Sequence, residues 1–233
     1  MKTFEQYPGE KLFFIDSDTF FCSDPSSIFR SISPRLSIMH KDEYSFFDGL
    51  MLFTSFNQAE APQAFIDFIE TNSFHFSGQD QTINKYDHCW NSGVLGLDPE
   101  IAPLLTDVLK LTDQFYQHSK WFIAEQLAFS VVLTRQTQVM PCEEKVIHYW
   151  GKRQKLLMDG ILEVELTKIN SYANDQTTMC KLTKKLERLI RNDILKEQAV
   201  IAFSLKDWKY GMKRLIIAVI NNPGNVGLLK ELL

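Results

Sequence analysis

Lys11-Leu12-Phe13-Phe14-Ile15-Asp16-Ser17-Asp18-Thr19 is the stretch on which the fold turns. Four apolar residues in a row, bounded by Pro8-Gly9 upstream and Ser23-Asp24-Pro25 downstream, predict a short, fully buried strand. Strands buried on both faces belong to the middle of parallel sheets, and ligands of open α/β sheets gather at the carboxyl ends of the strands. Asp16 and Asp18 stand at that end. In extended backbone their side chains leave on the same side. Two carboxylates so close repel each other unless a cation lies between them. Mg²⁺ or Mn²⁺, with a phosphate in its outer positions, suits such hard oxygen ligands. An ordinary Asp-Ser-Asp-Thr turn or helix cap accounts for the same residues without any ligand.

The remaining composition narrows the class. A chain of 233 residues holds one large domain, or one domain with an appendage. With 45% hydrophobic and 23% charged residues it has the make-up of a globular protein, and its 18 phenylalanines predict an aromatic core. A net charge of −4 argues against a broad nucleic-acid-binding surface. Cys22, Cys89, Cys142 and Cys180 are dispersed without a C-x-x-C pair, which predicts reduced thiols in a cytoplasmic protein. The amino terminus MKTFEQYPGEK lacks the apolar stretch of a signal peptide. The longest apolar run, Leu215 to Ile220, is far short of the roughly 20 residues of a membrane span.

Along the chain, Asp24-Pro25 predicts a helix start, and the alternation of Arg35 to His40 a strand. Residues 44–56 are aromatic, with Asp48-Gly49 as a turn between two short strands. Ala64, Phe65, Phe68 and Ile69 have the spacing of an amphipathic helix over 62–71. A polar stretch follows from Asn72 to Asp87, bending at Ser77-Gly78. Trp90-Asn91-Ser92-Gly93-Val94-Leu95-Gly96-Leu97 is a polar turn feeding a buried strand, ended by Asp98-Pro99. Helices are expected over 99–115 and 121–133, and strand-like pieces over 138–141 and 145–149. Beyond about residue 156 the chain is expected to be a helical appendage, with helices over 178–198, 208–221 and 225–233.

This order of features resembles a nucleotide-sugar glycosyltransferase of the GT-A fold, of the glycogenin and lipopolysaccharide galactosyltransferase type, over about residues 8–155. Phe13 to Thr19 is similar to the family's D-x-D strand, whose aspartates hold a divalent metal bridging the donor diphosphate. Trp90-Asn91-Ser92-Gly93-Val94-Leu95 is similar to its N-[AS]-G-[VM] segment, which lines the cleft for donor sugar and acceptor. Glu125-Gln126 sits where related enzymes carry an acidic-Gln pair near the reacting carbon. His148-Tyr149-Trp150-Gly151 is similar to the family's H-x-x-G, whose His is a further metal ligand.

The resemblance implies an α/β fold: a mostly parallel, mixed GT-A-like sheet flanked by helices over residues 1–155, with the appendage at 156–233. It implies Mn²⁺ or Mg²⁺ on Asp16, Asp18 and His148. Catalytic roles fall to Glu125 and Gln126, and substrate contacts to Asp16, Asn91, Ser92, Gly93, Gly151, Arg153 and Lys155. The donor would be a nucleoside diphosphate sugar, a UDP-sugar first, and the acceptor a glycan or lipid-linked hydroxyl in cell-surface polysaccharide synthesis. The family places about a hundred residues of nucleotide-binding βαβ units before its D-x-D strand, where this chain has about ten. That departure predicts an exposed sheet edge and a homodimer, and it keeps open a remnant acting only with a partner chain. A phosphohydrolase of the haloacid dehalogenase type competes for the first motif, but Phe20 stands where that family has Thr or Val, and no late G-D-x-x-x-D is present. The C-terminal helices are expected to pack on the sheet. Lys206, Lys209, Lys213 and Arg214 beside residues 215–220 also suit contact with the membrane periphery.

Overall fold

Val94-Leu95-Gly96-Leu97 is buried along its whole length, whereas Leu12 to Ile15 is half-buried to exposed. The computed structural model describes residues 2–49, 60–169, 176–204 and 206–221. They fall into two compact units, Met1–Thr19 with Ser23–His148, and Phe20–Cys22 with Tyr149–Leu233. In chain order the described elements begin α1 (Lys2–Gln6), β1 (Leu12–Ile15), β2 (Thr19–Phe21), α2 (Ser26–Ser31), β3 (Leu36–Met39) and β4 (Asp42–Ser45). There follow α3 (Glu60–Thr71), β5 (Ser73–Phe76), β6 (Gln79–Thr82), β7 (His88–Trp90) and β8 (Val94–Leu97). A 3-10 turn at Pro99–Ile101 leads into α4 (Leu104–Ser119), α5 (Ala124–Gln136), β9 (Gln138–Pro141) and β10 (Val146–His148). The second unit carries α6 (Lys152–Ile169), α7 (Gln176–Ser204) and α8 (Trp208–Asn221).

The principal sheet of the first unit has the order β1-β8-β3-β9. Two of its ladders, β1 with β8 and β8 with β3, are antiparallel; β3 with β9 is parallel. The fold is therefore mixed α/β, but the expected mostly parallel sheet is not what forms. β1 is an edge strand among the described residues, and Phe14 and Ile15 are 44% and 38% exposed. The apolar run of β1 fits an edge because its register, Leu12 opposite Leu97 through Ile15 opposite Val94, needs only one neighbour. A continuous apolar run does not by itself separate a central strand from an edge one.

Aromatic side chains fill the core, as 18 phenylalanines predict. Phe65 from α3 meets Phe46, Phe115 and Trp121 edge to face at centroid distances of 5.3, 5.1 and 5.5 Å. Each such pair contributes about 0.5–1.5 kcal/mol beyond the area it buries. The polar stretch after α3 contains a hairpin, and the expected bend at Ser77-Gly78 is its turn. β5 and β6 pair across Ser77 and Gly78, both at positive φ (54° and 76°), the backbone that a two-residue hairpin turn demands. Residues 46–49 are helical, where a turn between strands was expected, and 50–59 lie outside the described residues.

In the second unit α7 buries Leu182, Leu186 and Ile190, one stripe at helical spacing. Gly211 of α8 lies so near Phe203 that a Cβ there would stand 2.5 Å from the ring. Helix α6 lies mostly within the expected helical appendage, although no separate helix is delimited there by the sequence, and it begins at Lys152, ahead of residue 156. The helix expected over 225–233 lies outside the described residues. No described helix is long and apolar enough to cross a membrane.

Gly96 is the tightest point of the sheet. A Cβ there would stand 2.7 Å from Ile38 Cγ1 and 2.9 Å from Ile32 Cδ1. Gly96→Ala is expected to destabilise the chain by about 1–3 kcal/mol through overpacking. Urea unfolding measures this, and an unchanged midpoint would mean that the neighbouring isoleucines give way freely.

Candidate metal site

The chain turns immediately after β1. Asp16 N–H donates to Gly93 O at 2.9 Å, and the Thr19 hydroxyl donates back to Asp16 O at 2.7 Å. The Asp-Ser-Asp segment is thus a turn, and the turn rather than extended backbone brings its carboxylates together. Opposite them stands His148, the last residue of β10. Its Nε2 lies 3.2 Å from Asp18 Oδ1 and 3.6 Å from Asp16 Oδ2. One ligand atom from each of the three residues falls within 4.8 Å of the others.

Two neighbouring segments position the imidazole. At the end of β3, the His40 ring places Nε2 3.0 Å from Val146 O, and Cys142 N–H donates to His40 O at 3.0 Å. These contacts fix the turn from β9 into β10. The second is the Trp90-Asn91-Ser92-Gly93 segment. Asn91 N–H donates to Lys41 O at 2.8 Å and His40 N–H donates to Asn91 O at 3.0 Å, so both of its backbone groups are held by the 40–41 segment. Ser130 of α5 accepts from Trp90 N–H at 2.8 Å and ties the same strand to the helix behind it. Asn91 Oδ1 lies 2.8 Å from His148 Nδ1, and it also accepts from Gly93 N–H at 3.1 Å. Gly93 must lack a side chain here, because a Cβ would overlap the His148 ring.

Burial within the cluster is graded. The His148 side chain is 5% exposed, that of Asp18 16% and that of Asp16 43%. Burial holds the His148 pKa below the ordinary histidine value, although Asp18, Asp16 and Glu43 pull the other way. At neutral pH the ring is therefore uncharged, and two carboxylates face an uncharged imidazole. Its buried Nε2 has no hydrogen-bond partner among the described residues and stands 3.2 Å from Asp18 Oδ1. Two carboxylate ligands and one imidazole nitrogen suit a divalent cation of the Mn²⁺ or Mg²⁺ kind, with the carboxylates supplying the hard oxygens. Asp16, Asp18 and His148 form a group that could hold such an ion.

The other residues singled out from the sequence are placed as follows. Asn91 and Gly93 belong to the cluster, Asn91 with its amide engaged by protein groups rather than presented to a sugar. Ser92 is half-buried in the same turn. Gln126 joins at one remove, donating to Glu43 Oε2 at 2.9 Å and to Cys89 Sγ at 3.1 Å. Glu125 is exposed in the first turn of α5. Gly151, Arg153 and Lys155 belong to the second unit, Arg153 and Lys155 in the first turns of α6. Lys155 is exposed there, and the Arg153 side chain lies outside the described residues.

Glu43 is the residue that sequence reading missed. It lies in β4, between the expected strand ending at His40 and the aromatic segment that begins at Tyr44. Its carboxylate accepts from Asn91 Nδ2 at 3.2 Å and from Gln126, and Lys41 Nζ lies 3.8 Å away. A single acid beside the aromatic Tyr44 carries no sequence signal of this role. Cys89 and Cys142 are buried thiols, each pushed up to about 12 by burial, which agrees with reduced core cysteines.

The chain matches no family model, no curated protein and no solved structure.

Gly93→Ala is expected to displace the imidazole and weaken Mn²⁺ binding at least tenfold while the circular dichroism spectrum is retained. Isothermal titration with Mn²⁺ reads the affinity, and wild-type binding by this variant would remove His148 from the site. Protons and a metal compete for the same Nε2 lone pair. Because burial lowers the His148 pKa, Mn²⁺ affinity is expected to hold steady from pH 8 to 7 and to fall only on acidification below the ordinary histidine range. Titrations between pH 5 and 8 trace that profile, and an affinity already falling at pH 7.5 would contradict a neutral ring.

Proposed function

We propose that this chain is a metal-dependent glycosyltransferase that moves a sugar from a nucleoside diphosphate sugar to an acceptor hydroxyl. The observation that carries this reading is the meeting of three separate motifs at one point. Asp16-Ser17-Asp18, Asn91-Ser92-Gly93 and His148 come from distant parts of the first unit, and their side chains or backbone are in contact. Metal-capable clusters arise by chance on acidic surfaces, but the buried imidazole and its Asn91 partner are not surface features.

A divalent cation bound there would neutralise charge developing on a departing diphosphate, the Lewis-acid contribution worth several kcal/mol in such reactions. Asp18 and His148 hold the buried side of the site, and Asp16, the most exposed of the three, faces the incoming diphosphate or ribose. Asn91 orients the imidazole. Gln126 steadies the carboxylate behind Asn91. Glu125, exposed one residue earlier on the same helix, is the acid assigned to the acceptor hydroxyl. A UDP-sugar is the first donor to test, with a glycan or lipid-linked acceptor of the kind used in cell-surface polysaccharide synthesis. The phosphohydrolase alternative calls for a late acidic metal motif. Among the described residues the metal-capable group recruits His148 instead.

Calorimetric titration of UDP, then GDP, into the full chain with and without Mn²⁺ tests the proposal, alongside Asp18→Ala. Nucleotide binding that requires Mn²⁺ and is lost in the variant is the expected result. A folded chain that binds Mn²⁺ but neither nucleotide would leave the metal site standing and remove the donor assignment.

A further inference from the structure

Which nitrogen of a histidine carries its proton decides whether the other can bind a metal. In this site that choice is made two residues away. We infer that Glu43 is a positioning residue that acts through the Asn91 amide to hold the His148 proton on Nδ1 and present the Nε2 lone pair to Asp16 and Asp18. This inference rests on the metal reading of the cluster, and it adds a residue that the D-x-D, Asn-Ser-Gly and His motifs do not contain.

The chain of donors and acceptors runs in one direction. A carboxylate accepts hydrogen bonds and cannot donate them. Glu43 Oε1 stands 3.2 Å from Asn91 Nδ2, so the amide NH₂ faces Glu43 and Oδ1 faces the other way. There Oδ1 accepts from Gly93 N–H at 3.1 Å and meets His148 Nδ1 at 2.8 Å. An amide oxygen at that distance requires a proton on Nδ1. The neutral ring then carries none on Nε2, which is the atom 3.2 Å from Asp18 and 3.6 Å from Asp16.

Reversing the amide would set Asn91 Oδ1 against the Glu43 carboxylate and its NH₂ against Gly93 N–H, two repulsive contacts. Burial makes both costly, because Asn91 is 3% exposed and the Glu43 side chain 9%, leaving little water to compensate. Glu43 is itself held. Gln126 Nε2 donates to its second oxygen at 2.9 Å, and Lys41 lies 3.8 Å from the first. Gln126, singled out from the sequence for a place near the reacting carbon, therefore supports this relay from the far side.

Orientation and charge predict different outcomes when Glu43 is replaced. Glu43→Ala removes both. Glu43→Gln removes the charge but keeps an oxygen for Asn91. Its NH₂ would then face Gln126, whose amide can turn to offer its own oxygen to that NH₂ and to the Cys89 thiol.

Long-range ¹⁵N–¹H correlation spectra of the metal-free full chain, with ¹⁵N-histidine and His148 assigned through His148→Gln, read the tautomer directly. Mn²⁺ titrations followed by electron paramagnetic resonance read the affinity. The wild-type chain at pH 8 is expected to show His148 protonated at Nδ1 and bare at Nε2. Glu43→Ala should raise the Nε2–H form to a measurable fraction and weaken Mn²⁺ binding about tenfold, the lower end of the range for residues that orient metal ligands. Glu43→Gln should restore the Nδ1–H form and most of the affinity.

An Nε2–H tautomer in the wild-type chain would overturn the inference without any variant. So would an unchanged tautomer in Glu43→Ala, which would leave Gly93 N–H as the sufficient restraint. A Glu43→Gln chain as weak as Glu43→Ala would make the effect one of charge alone, and positioning would be rejected. The tautomer is read without metal or nucleotide, so failure of the glycosyltransferase proposal leaves this result standing, and the reverse also holds.

Discussion

Two carboxylates and a buried, uncharged imidazole, with ligand atoms within 4.8 Å of one another, are the constraint around which the first unit is arranged. Left to themselves, Asp16 and Asp18 repel each other, and burial keeps His148 from relieving them by taking a proton at neutral pH. The chain holds them together nonetheless. A backbone hydrogen bond ties the turn after β1 to the Asn91-Ser92-Gly93 corner before β8, and the Asn91 side chain reaches His148 at the end of β10. Asp16, Asp18 and His148 form a group that could hold a metal ion, and a cation there would offset the repulsion between the carboxylates.

Rigidity around the site comes from the ordinary core. Aromatic packing between α3, α4 and the segments beside them fixes the helices, and Ser130 on α5 carries that order to the strand bearing Asn91. The polar relay from Gln126 through Glu43 and Asn91 to His148 runs along this frame. Every member is buried or half-buried, so its hydrogen bonds are made with protein groups. A network of this kind transmits orientation well, because a reversed amide at any link leaves two like groups facing each other. The gradient of exposure from His148 to Asp16 leaves one side of the cluster open to a ligand.

Glycine shapes the site as much as charge does. Gly93 makes room for the imidazole and Gly96 for Ile38, three residues apart on the same strand and its approach. In the sequence both look like parts of a flexible Asn-Ser-Gly turn and an apolar strand. In the structure they are the positions where side chains of other segments pass through the space a Cβ would fill.

The sequence by itself determined the local facts. The apolar run ending in Asp16-Ser17-Asp18, the polar corner at Asn91 feeding a buried strand, the amphipathic helix over 62–71 and the charged helices after residue 175 are legible because periodicity, turn chemistry and residue type are local properties. His148 was singled out by resemblance alone. Only the tertiary structure decided that β1 is an antiparallel edge strand, because a short apolar run reads the same in a central or an edge position. It decided that residues 73–82 form a hairpin, since cross-strand partners do not announce themselves in polar sequence. It also decided the role of Glu43, whose importance arises from contacts with residues 48 and 83 positions away along the chain. A carboxylate's meaning lies in which donors surround it, and that is settled by the fold that brings them together.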